Sequence, residues 1–355
     1  MALFVYFVLF VAIYCSVQEG KSGIMMSGVF TYIEQGPVWV SWVILAAAFA
    51  VLAKCADLFV DSAVGIAERL HLPKLMIGIV LVSVATTSPE LSVSLMAALR
   101  GSPEMALGNA IGSVICNCGI ALALCAVFSK TSVPVLKYAF RTAGGFLVFV
   151  SILCALFVGV DLTLSRIEGG ILLLCFAGYL GFLVRQYKQG HMREVNEADV
   201  TEIAKPALAL LLLFLVGLAG VILSSKFVVV TSVTIAKSMG VPEAVIALTL
   251  VALGTSIPEV ATSVVSAIKG QGALSVGNIL GANIMNICWV AGSSSLANPL
   301  SLSRREINFM FPAMFIMVAV TLFVLHTSQA LSRREGAVLF GVYCLYIASF
   351  FLVFQ

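Results

Sequence analysis

Apolar residues run along this chain in long blocks separated by short breaks. Ten main blocks fall at approximately 37–60, 73–99, 103–128, 137–160, 167–186, 206–229, 242–268, 272–297, 308–327 and 334–354. The breaks carry turn-forming residues: Pro73, Gly101-Ser102-Pro103, Lys130 to Lys137, Asp161 to Arg166, and Gly270-Gln271-Gly272. About 20 apolar residues in a helix cross the roughly 30 Å of bilayer hydrocarbon. The pattern therefore predicts an all-α integral membrane protein of about ten transmembrane helices. A further apolar stretch, about residues 2–17, precedes them. It is short for a span and lacks the positive flank of a signal peptide. It reads as a cleaved or peripheral segment, with an eleventh helix as the alternative.

Composition agrees with lipid as the solvent. The 355 residues are 61% hydrophobic and 10% charged, against about 25% charged in soluble domains. The net charge of +3 is spread over short loops, with no basic stripe for nucleic acid. Nine cysteines are scattered and form no CxxC pair, and Cys116-Asn117-Cys118 reads as packing on an apolar helix. No nucleophile–base pair or cofactor loop is visible, so neither an enzyme nor a cofactor is expected, and no obligate protein partner is evident. The longest polar stretch, 187–205, holds Lys188, Arg193, Glu194, Glu197, Asp199, Glu202 and Lys205. The expected division is a lead-in at 1–36, a first unit at 37–186, a linker at 187–205 and a second unit at 206–355. Lys and Arg are more frequent in the loops on the linker's side, which places the linker in the cytoplasm.

The two units share an internal repeat. Residues 72–119 align without a gap to 241–288 at a constant offset of 169, with 15 of 48 positions identical. The identities include Thr86/Thr255, Pro89/Pro258, Glu90/Glu259, Ser94/Ser263, Gly108/Gly277, Asn109/Asn278, Gly112/Gly281 and Asn117/Asn286. Chance similarity between apolar helices would match Leu, Val and Ala, not these polar and glycine positions. Equivalent helices are five blocks apart, an odd step, so the second copy enters the membrane in the opposite direction. Inverted repeats of this kind are found in secondary transporters, with substrate bound near the midplane where the copies meet.

The polar residues of the repeat suggest which substrate. A charge at the bilayer centre costs roughly 2.5–3.5 kcal/mol on insertion scales, so Glu90 and Glu259 need a partner or a water-filled cavity. Two readings stand: a protonated structural pair, or a cation site. Pro89 and Pro258 each remove an amide and should free carbonyls near Ser83 to Thr86 and near Ala252 to Thr255. Thr86, Thr87, Thr255 and Ser256 add hydroxyls beside them. Ser113 and Asn117 lie four residues apart, so they share a helix face that can supply further oxygens. Gly108, Gly112, Gly277 and Gly281 have the small-xxx-small spacing of close helix contact. An all-oxygen donor set with two carboxylates suits hard cations such as calcium and sodium.

VATTSPE and ALGTSIPE, each followed by GNAIGS or GNILGA, resemble the paired repeats of the sodium/calcium exchanger family, in its short prokaryotic form. Lys54, Asp57 and Asp61 ahead of Pro73 also look like the family's first helix. The resemblance implies ten helices in a bacterial or archaeal cell membrane, and exchange of sodium for calcium by alternating access, usually three sodium ions per calcium. Two tilted helices would slide over a static core. It further implies ligands at Glu90 and Glu259, at Thr86, Thr87, Thr255 and Ser256, at the carbonyls of Ser83 and Ala252, and at Ser113, Asn117 and Asn286. This chain departs from the pattern at Ala85, Thr87, Ser83 and Ala282, the last lacking a hydroxyl. Asn286 stands where several relatives have Asp. A proton- or potassium-coupled antiporter on the same scaffold is the alternative.

Overall fold

The computed structural model describes residues 33, 36–70, 72–129, 132–134, 140–189, 206–240, 253–328 and 330–354. The stretch 2–17, residues 190–205 of the linker, and Ala252 lie outside the described residues.

A chain in lipid must satisfy its backbone amides within its own segments, and helices do so. They are α1 (Val38–Arg69), the bent pair α2 (Lys74–Thr86) and α3 (Ser88–Leu99), α4 (Pro103–Phe128), α5 (Gly145–Asp161), α6 (Arg166–Lys188) and α7 (Ala207–Ser238). α8 (Ile257–Ile268), α9 (Gly272–Ala297), α10 (Arg304–Ser328) and α11 (Arg333–Phe354) follow. Among the described residues eight helices are long and apolar enough to span a membrane, or nine if α2 and α3 count as one span. The block expected at 242–268 is represented there by the short apolar helix α8.

α1 and α7 run on to 69 and 238, where the apolar blocks stop at 60 and 229. At 1.5 Å per residue a 32-residue helix is about 48 Å long, well beyond the hydrocarbon. Its polar end, with Asp61, Glu68 and Arg69, needs no lipid and is invisible to a hydropathy reading. The two helices lie along each other, with the Phe59 and Phe214 ring centroids 4.5 Å apart. Small residues permit this approach, since a Cβ on Gly217 would sit 2.8 Å from the Phe59 amide nitrogen.

α4 and α9 form the interior. α9 is buried along almost its whole length and α4 along most of it. Trp39, Val160, Ile167 and Leu352 on other helices are exposed, as lipid-facing side chains should be. α9 crosses α2 at close range: a Cβ on Gly281 would meet the Ile79 carbonyl and the Ser83 hydroxyl, each at 2.5 Å.

The sequence offset reappears in the elements. α1 and α7, α3 and α8, and the starts of α4 and α9 all match at 169 residues. Contacts between the halves come in matching sets. Strand β1 (Val133–Pro134) pairs antiparallel with β4 (Ala330–Leu331), and β2 (Thr163–Leu164) with β3 (Leu300–Ser301). Arg166 donates to the Ala297 carbonyl at 3.2 Å, and Arg333 donates to that of Ser129 at 3.4 Å. Asn298 donates to the Ala98 carbonyl at 3.1 Å, and Ser129 to that of Ala267 at 3.2 Å. α6 and α11 start on the same cap, with the Glu168 carboxylate on the Ser165 amide and the Glu335 carboxylate on the Ser332 amide.

Candidate functional site

Proline cannot continue a helix, because it lacks an N–H and its ring collides with the carbonyl four residues back. The chain breaks just ahead of each proline. Thr87 (φ −80°, ψ 0°) separates α2 from α3, which are bent by 44°. Ser256 (φ −83°, ψ 0°) has the same place ahead of α8. Pro89 and Pro258 thereby enter the first turn of a new helix, where no intrahelical amide is required. Glu90 and Glu259 fall in that same first turn, where the helix dipole favours a carboxylate.

The carbonyls around the first break are more engaged than the sequence suggests. The Ser83 oxygen accepts the Thr87 amide at 2.8 Å and the Thr86 hydroxyl at 3.5 Å. The Val84 and Ala85 oxygens both accept from the Ser88 hydroxyl at 2.9 Å. Ser88 thus takes up the acceptor that Pro89 leaves without an amide. The Ser83 side chain turns back to the carbonyls of Gly78 and Ile79.

The hydroxyls instead reach across to the other half. Thr87 donates to the Glu259 carboxylate at 3.0 Å, and Ser256 donates to the Glu90 carboxylate at 3.3 Å. Thr86 donates to the side-chain oxygen of Asn278 at 3.3 Å, and Thr255 donates to that of Asn109 at 3.2 Å. Every bond has its counterpart at an offset of 169. The two carboxylates lie within electrostatic reach of one another. Thr86, Thr87, Glu90, Ser256 and Glu259 are completely buried, and Thr255 is partly so. The second oxygen of each glutamate has no hydrogen-bond partner among the described residues.

Ser113, Asn117 and Asn286 are also completely buried, and their side-chain polar atoms have no hydrogen-bond partner among the described residues. Asn117 opens a π-helical turn in α4 (Asn117–Ala121), and Asn286 opens one in α9 (Asn286–Ala291). Such turns recur at functional sites. α8 packs on the first turn and α3 on the second, so each asparagine lies beside the glutamate helix of the opposite half. A buried polar group left unpaired costs about 1–3 kcal/mol, so a concentration of them calls for a ligand. Their chemistry, carboxylate plus hydroxyl plus amide oxygen, fits a hard cation. The role of Asn109 and Asn278, and of Ser94 and Ser263 beyond them, was not foreseen from the sequence. Their identity in both copies was the available signal.

A profile of the sodium/calcium exchanger protein family matches residues 40–185 and 209–352, one stretch in each half. The chain belongs to this family. It is similar to the sodium/calcium exchanger MaX1 of Methanosarcina acetivorans, 28% identical over 89% of this chain and 100% of MaX1. It is also similar to the inner membrane protein YrbG of Escherichia coli, 30% identical over 82% of this chain and 91% of YrbG. A solved structure of the sodium-calcium exchanger NCX_Mj superposes with a TM-score of 0.74 at 27% identity, covering 88% of this chain and 99% of that one. This member of the exchanger family is a multi-pass integral membrane protein.

Proposed function

We propose that this protein is a secondary active antiporter that exchanges sodium for calcium by alternating access, at one site shared between two inverted five-helix repeats. The reciprocal bonding of Thr87 to Glu259 and of Ser256 to Glu90 carries this reading, because it joins the acidic residue of each copy to the hydroxyl of the other. Calcium would be held by Glu90 and Glu259, with oxygens of Thr86, Thr87, Thr255, Ser256, Ser113, Asn117 and Asn286 around it. The Ser83 and Ala252 carbonyls would complete the set. Two carboxylates neutralise one calcium ion, and sodium ions compete for the same oxygens.

Inversion is supported by the strand pairs. β1 precedes α5 and β3 precedes α10, yet β1 pairs with β4, the strand that follows α10. Paired loops lie on one side of the membrane, so equivalent loops of the two copies lie on opposite sides. The ten-helix count follows if residues 242–268 form one broken span, as α2 and α3 do.

Calcium-45 uptake into proteoliposomes under imposed sodium, potassium or proton gradients tests the coupling ion. An outward sodium gradient should drive accumulation, and the other two should not. Uptake driven by potassium or protons instead would favour the alternative coupling on this scaffold.

A further inference from the structure

We propose that Asn109 and Asn278 are positioning residues: each holds a threonine hydroxyl of the opposite repeat with its proton turned away from the cation. The inference rests on the reading of the site given above and adds the groups that orient its ligands.

A hydroxyl has one proton and two lone pairs. It can face a cation with a lone pair only if the proton is committed to another acceptor. For Thr255 the structure offers Asn109 Oδ1 at 3.2 Å; for Thr86 it offers Asn278 Oδ1 at 3.3 Å, with the Ser83 carbonyl at 3.5 Å as a second and more distant acceptor. Each amide could in principle be turned round, presenting its NH2 to the threonine. The far end of each side chain favours the orientation given. Asn109 Nδ2 faces the Glu90 carbonyl at 3.5 Å, which only accepts, and Ser94 Oγ at 3.0 Å. Asn278 Nδ2 faces Ser263 Oγ at 2.8 Å and Thr262 Oγ1 at 3.2 Å. The Thr262 proton is already given to the Pro258 carbonyl at 2.8 Å, so its oxygen must accept. Both amides therefore present oxygen to the threonines, and both threonines donate.

The arrangement is fully duplicated. Asn109, Asn278, Ser94 and Ser263 are buried and identical at the repeat offset. Their bonds cross between halves at Thr86 and Thr255 and stay within a half at Ser94 and Ser263. Packing alone would account for buried asparagines. It would not make the effect of each one depend on a particular threonine in the other half.

The test is a pair of double-mutant cycles on the full chain in proteoliposomes, reading half-saturating sodium and calcium for exchange together with thermal stability. Asn109→Ala and Thr255→Val should each weaken sodium on the order of tenfold, the scale of one lost hydrogen bond. The double variant should be no worse than Thr255→Val alone. In the crossed control, Asn109→Ala with Thr86→Val, the two effects should multiply. The mirrored cycle of Asn278→Ala with Thr86→Val should behave likewise and decides the matter if Asn109→Ala does not fold. Multiplying effects within the Asn109–Thr255 or Asn278–Thr86 pair would overturn the proposal. So would an asparagine variant that loses thermal stability with unchanged ion dependence. Failure of the underlying functional reading is separable, because the wild type itself would then carry no sodium-driven calcium flux.

Discussion

At Ala282 the second repeat lacks the hydroxyl that Ser113 supplies at the matching position of the first. Ala282 is completely buried on α9, four residues before Asn286 and on the same face. Ala282→Ser should therefore raise apparent sodium affinity more than calcium affinity, measured from the concentration dependence of exchange. Equal effects on both ions would count against placing this residue at the site. The hydroxyls at the breaks give a second expectation. Hydrogen bonds to charged groups are worth about 1.5–3 kcal/mol, so Thr87→Val and Ser256→Ala should each weaken apparent calcium affinity on the order of tenfold to a hundredfold. Loss of affinity from only one of the two would contradict the symmetry of the cluster. Glu90 and Glu259 could be found in the sequence because charge in an apolar block is conspicuous. Asn109 and Asn278 could not be assigned a role that way. Their partners lie in the other repeat, and no local pattern states which helices of the two copies meet. At the first break Ser88 meets the Val84 and Ala85 oxygens, a contact the second copy does not repeat in kind because the counterpart of Ser88 is Ile257.

Among the elements, α2 and α9 cross at close range beside the site. Adding a methyl at Gly281 forces a shift of backbone or of Ser83, and overpacking of this kind costs typically about 1–3 kcal/mol. Gly281→Ala should lower the thermal unfolding midpoint in detergent and slow exchange. Gly341→Ala, with nothing within 4 Å of the new carbon among the described residues, should leave both unchanged. α1 is tied to the end of α8 by Lys269, which meets Asp57 at 2.6 Å and Asp61 at 2.5 Å. Burial pulls the Lys269 pKa down, but hydrogen bonds and charge from the two aspartates outweigh it and leave it raised. A raised lysine pKa keeps its stabilising charge below the ordinary value and loses it only as pH rises through the folded value. Lys269→Met should thus leave the pH dependence of exchange unaltered between about pH 6 and 9, below the ordinary lysine value of about 10.4. A shifted profile would show that this pair titrates in the neutral range. The sequence gives apolar blocks to within a few residues where lipid sets the limits, as at 103–128 and 272–297. It does not reveal the π-helical turns, which share the composition of the α-helices that contain them.

For the whole molecule, charge balance sets the expectation. In the proposed site Glu90 and Glu259 would supply −2 and Asn117 and Asn286 none, so one calcium ion would neutralise the cage. Three sodium ions, the number the family resemblance implies, would leave about +1 on the loaded site. One charge crossing the membrane is worth about 2.3 kcal/mol per 100 mV. Sodium-driven calcium flux should accordingly respond to a potassium–valinomycin potential, with an inside-negative voltage favouring sodium entry and calcium exit. A flux indifferent to voltage would point to two sodium ions, consistent with the missing hydroxyl at Ala282. Underneath the stoichiometry stands the claim that each repeat contributes one carboxylate to a single calcium site. The direct measurement is sodium-driven calcium-45 accumulation by Glu90→Gln and Glu259→Gln, each first shown by size-exclusion chromatography to fold like the wild type. Either change leaves one negative charge facing a divalent ion in a medium of low dielectric, so each alone should abolish accumulation. Near-normal exchange by either folded variant would contradict the shared site.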